Sequence, residues 1–169
     1  MLVVSTITER RGSLMAESSG PIMGVVGRWH SFLRGELPGG LASLLHDDVV
    51  FLSPIVYSPQ VGKDLTMLYL SAAGPALAGA HAEAIPGGHR PSAEAKGFHY
   101  VKEIVSGHHA MLEFETTIGG TYVNGVDIIT CDDEGLITEF KVMIRPLKAV
   151  NAVHQQMAAM LESMRGSDS

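Results

Sequence analysis

The stretch Gly120–Pro146, GTYVNGVDIITCDDEGLITEFKVMIRP, decides the fold. It reads as two β-strands joined by a tight turn. Its apolar residues are largely β-branched or aromatic, the types that suit a pleated, half-buried surface. The turn is Asp132-Asp133-Glu134-Gly135, three acids ending in the residue that tolerates a positive φ. One acid, Asp127, stands alone among Val126, Ile128 and Ile129. Side chains alternate across a strand, so if Asp127 points into a cavity, Gly125, Ile129 and Cys131 point there too.

The same alternation sorts the neighbouring strands. Phe140, Val142 and Ile144 share one face of the following strand, and Glu139, Lys141, Met143 and Arg145 share the other. On the preceding strand Leu112, Phe114 and Thr116 oppose Glu113 and Glu115. The apolar sets combine with Asp127 into one concave, hydrophobic wall, and the charged sets fall on the outer face. Burial on such a wall disfavours the ionised carboxyl and predicts a raised pKa for Asp127.

Upstream, Val25, Trp29, Phe32 and Leu33 recur at helical spacing within Ile22–Leu33. A short helix is expected over Leu41–His46, a strand over Val49–Ser53 ended by Pro54, and a loop over Pro59–Gly62. A third helix is expected over Lys63–Leu77, with Leu65, Leu68, Tyr69 and Ala72 on one face and Gly74-Pro75 bending or ending it. Residues 79–97 read as a long connection. Strands are expected over Phe98–Val105, His109–Ile118, Thr121–Cys131 and Gly135–Arg145. Leu147–Met164 closes the chain as an amphipathic helix carrying Leu147, Val150, Val153, Met157, Met160, Leu161 and Met164 on one side. Helices followed by consecutive strands are α+β order, not the alternation of a parallel sheet.

Bulk properties bound the function. The 169 residues suit one domain, and 46% apolar content is ordinary for a globular chain. A net charge of −6 with only 12 Lys and Arg argues against nucleic acid or an anionic membrane as partner. Cys131 is the single cysteine and fits a reducing compartment. With no signal-peptide pattern and no apolar run of membrane-spanning length, the expected location is cytoplasmic. The eight histidines lack a ligand spacing, and neither a metal nor a cofactor is expected.

The chain resembles the nuclear-transport-factor-2-like superfamily, and within it the ketosteroid-isomerase-like and polyketide-cyclase (SnoaL)-like domains. The resemblance rests on four features. They are the Trp29-containing helix followed by Gly35-Glu36-Leu37, the segment Asp48–Pro54, the Gly62-Lys63-Asp64 helix start, and Gly125-Val126-Asp127 with Asp133-Glu134-Gly135. It implies an α+β fold: a cone-shaped, strongly curved antiparallel sheet packed on the N-terminal helices, a cystatin-like α+β barrel, with an extra C-terminal helix. The domain would span 22–146, after a flexible leader at 1–21 and before a C-terminal helix and polar tail at 147–169.

By the same resemblance Asp127 matches the aspartic acid of ketosteroid isomerases that donates to the oxyanion. Their oxyanion tyrosine falls at Trp29, and their general base, an aspartate before a proline, falls at Ser53. The Asp-Arg-Asp set of related epoxide hydrolases would fall at Glu113, Glu115 and Val142, with no arginine. The acid of the cyclases would also fall near Val142. One catalytic position, Asp127, is therefore kept. The outer sheet face is where this superfamily often forms a homodimer.

The candidate site is Asp127 as catalytic or donor group. Leu112, Phe114, Ile129, Phe140, Val142 and Ile144 form its apolar wall, with Trp29 and Ser53 as further contacts. The alternative for Trp29 is packing in the core, the usual role of a large aromatic on an apolar helix face, and for the Ser53 hydroxyl a bond to a strand-end backbone group. Three readings follow. The first is a domain binding a small lipid-like, polycyclic or terpenoid molecule. The second is an isomerase, dehydratase or cyclase using Asp127. The third is a structural dimer with a filled cavity. A carboxyl or histidine within reach of Asp127, His30 first, would favour the enzyme. A roomy cavity with Asp127 as its lone acid would favour binding.

Overall fold

The computed structural model describes residues 20–77 and 97–166, with side chains for 20–71 and 97–159. The leader 1–19, most of the 79–97 connection, and the side chains of Met160 and Met164 lie outside the described residues.

Helix α1 spans Ile22–Leu33 and buries Ile22, Val25, Val26 and Trp29, one stripe at helical spacing. Gly35, at φ +72, ends it by turning left-handed, where a side chain would be strained. A single 3-10 turn, Leu41–Ser43, replaces the longer helix expected there. Strand β1 then begins early and runs Leu45–Leu52. The loop expected at Pro59–Gly62 contains a two-residue strand, β2, Gln60–Val61, paired antiparallel with β1.

Helix α2 spans Lys63–Leu77 and continues through Gly74-Pro75. Its buried side differs from the expected one: Thr66 and Leu70 are buried, whereas Leu65 and Leu68 are more than one-third exposed. The helical period is as expected, but the inward side is rotated to Thr66 and Leu70, and of the described residues of the expected face Tyr69 alone lines the cavity.

Strands β3 (His99–Ser106), β4 (His109–Ile118), β5 (Thr121–Cys131) and β6 (Ile137–Arg145) follow, and α3 (Leu147–Gly166) closes the chain. The six strands form one sheet in the order β2-β1-β6-β5-β4-β3. All neighbours are antiparallel except β1 and β6, which run parallel. Register shifts interrupt β1/β6, β3/β4 and β5/β6, and such irregularities bend a sheet. The result is a curled α+β sheet with its concave side filled by apolar residues.

The β5–β6 turn explains its own acids. Asp132 Oδ1 accepts the Leu136 N–H at 2.7 Å, Asp133 meets His108 Nε2 at 2.8 Å, and Gly135 takes φ +76. Arg28 of α1 then bonds the Gly135 carbonyl at 3.2 Å and also the Ser43 carbonyl, clamping helix to hairpin. On α3 the inward residues are Ala149, Val153, Gln156 and Met157; Leu147, expected inward, is 74% exposed. No helix among the described residues is long and apolar enough to cross a membrane.

Candidate functional site

The pairing of β4, β5 and β6 sets the site. Asp127 lies directly between Leu112 and Val142, and Gly125 lies between Phe114 and Ile144. Alternate residues Val123, Gly125, Asp127, Ile129 and Cys131 are buried on β5, as the expected parity requires. Above one half of this concave face is a cavity of about 90 Å³. That is several times the space one water needs. Trp29, Phe51, Phe140 and Asp127 stand along it with Tyr69 and Leu70 of α2. Phe98, Phe114, Thr116, Ile118 and Val123 continue the wall, and Val153, Gln156 and Met157 of α3 also line it.

Asp127 is 5% exposed. Its Oδ2 accepts the Tyr100 hydroxyl at 2.6 Å, and Tyr100 Oη in turn accepts Trp29 Nε1–H at 2.7 Å. A donor-only indole, a hydroxyl that gives and takes, and a carboxyl thus form one directional chain. No described residue bonds the other carboxyl oxygen, Oδ1. Burial pushes the Asp127 pKa up to about 7, with the Tyr100 hydrogen bond pulling it partly back. Tyr100 is itself pushed well above the usual phenol range, by burial first and then by the Asp127 charge and hydrogen bond.

The remaining expected residues divide. Trp29, Phe114, Phe140, Val142 and Ile144 line the cavity with Asp127. Leu112 and Ile129 share the concave face but are fully buried in the core beyond the cavity. Ser53 lies outside the lining: its hydroxyl accepts the Ile55 and Val56 N–H groups at 3.1 and 3.3 Å, closing the chain after β1. Tyr69 lines the cavity, whereas Tyr57 is fully exposed. His30 makes no hydrogen bond or ion pair with Asp127. It pairs with Glu103 at 2.7 Å and packs edge-on against the Tyr100 ring.

Tyr100 is the residue that sequence reading missed. It stands two positions after Phe98 and shares its face, but a register shift between Tyr100 and Lys102 breaks the simple alternation of β3. The usable signal was a tyrosine in a strand otherwise carrying Lys102 and Glu103, since a buried phenol needs a partner. Thr116, Phe51 and Phe98 are further lining residues not singled out as contacts.

Among solved structures the chain is similar to a steroid delta-isomerase from Pseudomonas aeruginosa. The match has 26% identity and a TM-score of 0.71, covering 86% of this chain and 95% of that one. An uncharacterized protein with a cystatin-like fold from Silicibacter pomeroyi matches at 27% identity and TM-score 0.63, covering 80% and 83% of the two chains. A protein of unknown function from Mesorhizobium loti, described as nuclear-transport-factor-2-like, matches at 16% identity and TM-score 0.57, covering 78% and 95%. This chain has the nuclear-transport-factor-2-like fold. No protein-family model matches it, and no curated protein matches it.

The concave face and α3 together line the cavity. The described lining offers one carboxyl, one phenol, one hydroxyl, one amide and the indole, and no histidine or cation. It can hold an apolar body and bond oxygen atoms. It can also exchange a proton at Asp127.

Proposed function

We propose that the protein is a small-molecule-binding domain: the cavity takes a lipid-like, polycyclic or terpenoid molecule, and Asp127 bonds its oxygen. One observation carries this reading. Asp127 has one oxygen held by Tyr100 and the other unbonded by any described residue, at a cavity otherwise walled largely by apolar side chains. Pockets of this composition fix a ligand by a few placed polar groups while apolar contact supplies affinity. A neutral carboxyl donates to a carbonyl or ether, and an ionised one accepts from a phenol or enol.

The test is titration with a fluorescent naphthol, comparing wild type with Asp127→Leu. We expect saturable binding to the wild type and at least about tenfold weaker binding to the variant, the scale of a hydrogen bond to a charged group. Equal binding to both would keep the cavity and remove the acid from its role. Absence of binding to two folded proteins would support a structural domain instead.

A second reading is a proton-transferring isomerase. It is supported by a carboxyl whose pKa lies near neutrality, the poise that acid–base catalysis favours. The similarity to a steroid delta-isomerase supports it as well. With no second carboxyl or histidine in the described lining, Asp127 would both remove and return the proton. Deuterium exchange into an enolisable cyclic ketone checks this, and exchange unaffected by Asp127→Asn rejects it.

A further inference from the structure

Thr116 is a polar residue that the reading above does not use. It is 4% exposed, lies on the concave face of β4 and lines the cavity. Its hydroxyl bonds no described residue, although buried hydroxyls nearly always find a partner. Thr66 makes the contrast. Its Oγ1 is also without a partner, but it is buried on α2 and is not part of the lining of this cavity. The Thr116 hydroxyl instead opens on space that a ligand can fill.

Its position relative to Asp127 follows from the register. Thr116 pairs with Val123, four residues before Asp127 on β5. At the usual strand rise the two anchors stand roughly 13 Å apart along the sheet. Between them lies Gly125, flanked by Phe114 and Ile144. A Cβ there would overlap the Phe114 ring and stand 2.8 Å from the Met143 carbonyl oxygen, so the ring lies directly over bare backbone. The floor between the anchors is therefore flat and apolar. From α3, Gln156 is the polar lining residue between Val153 and Met157.

We propose that Thr116 is the second polar anchor of this cavity, which takes an elongated, flat, largely apolar molecule carrying a hydrogen-bonding oxygen at each end. One oxygen meets Asp127 and the other meets Thr116, with the ring body over Gly125 and Phe114. The inference rests on the cavity being a ligand site and adds the class of ligand.

Calorimetry on the full chain separates the two claims. The ligands are para-phenylphenol, with one hydroxyl, and biphenyl bearing a hydroxyl at both para ends. Asp127→Leu should weaken both, which tests the ligand site itself. The diol should bind wild type about three- to tenfold tighter than the mono-phenol, the worth of one added hydrogen bond. Thr116→Val should reduce that advantage to the statistical factor of a symmetric ligand. Thr116→Ser should keep the advantage, and circular dichroism and urea unfolding like those of wild type show that the variants are folded. An advantage that survives Thr116→Val, or no advantage in the wild type, overturns the second anchor and leaves the first standing. Failure of wild type to bind either phenol overturns both.

Discussion

The two faces of the sheet each bury a carboxyl that accepts a tyrosine hydroxyl, and of the two Asp127 lines the cavity described above. On the concave side Tyr100 bonds Asp127 at 2.6 Å. On the convex side Tyr122 bonds Glu115 at 2.8 Å, and Glu115 is 6% exposed, as buried as Asp127. The difference lies in what surrounds them. Glu115 has His99 at 3.9 Å, and its neighbour Glu113 has Lys102 at 3.4 Å and the Asn124 amide at 3.1 Å. Arg145 extends that network through Asn124 Oδ1 at 3.3 Å. Asp127 has no cation in the described lining. Glu115 thus belongs to a polar network that reaches Lys102 and Arg145, whereas Asp127, buried with a single neutral donor, is held near its titration point.

The largest expected effect breaks the concave pair. Asp127 holds its proton more tightly when folded, at a pKa of about 7 against an ordinary 3.8. Its neutral form is the one that fits the fold, so this contribution to stability is complete below pH 4 and is lost as pH rises through 7. The difference is on the order of 4 kcal/mol at most. Asp127→Asn removes that proton, and its stability should be flatter than wild type between pH 4 and 8. Urea unfolding across this range checks it. Parallel pH profiles would mean that Asp127 is not the near-neutral acid.

Tyr100→Phe should have the next largest effect. It leaves the buried Trp29 N–H and Asp127 Oδ2 without their shared partner, at a cost of about 1–3 kcal/mol. It also removes the one bond that favours the carboxylate, so the Asp127 titration should move above 7, readable from its carboxyl carbon by NMR. A shift downward would mean that the Tyr100 bond favours the neutral carboxyl, not the carboxylate.

Much of this arrangement was legible in the sequence. The turn acids, the glycine after them and the parity around Asp127 depend on local chemistry, and the structure places them accordingly. Depth and rotation were less legible. Parity assigned Leu112 and Ile129 to the correct face but could not say which half of that face stays open. Leu65 and Leu68 had helical spacing, yet Thr66 took the buried position on α2. Tyr100 escaped because its partner stands 27 residues away across a shifted register. Such a contact is set by pairing among strands, not by any local pattern.

The smallest expected effect sharpens the comparison from the convex side. Tyr122→Phe removes a donor from Glu115, but Tyr122 is only partly buried, and His99 stays beside the carboxylate. The cost should be about 1 kcal/mol or less. Burial and the Glu115 bond push the Tyr122 phenol up to about 12, so the lost hydroxyl adds no titration near neutrality. Naphthol affinity and the Asp127 titration should therefore stay as in wild type. Glu115 sits on β4 between Phe114 and Thr116, which both line the cavity, so a mechanical route between the faces exists. If Tyr122→Phe moves either readout, that route carries energy and the convex network helps to set the cavity. If it moves neither, the sheet insulates two chemically similar pairs, and the poise of Asp127 belongs to the concave side alone.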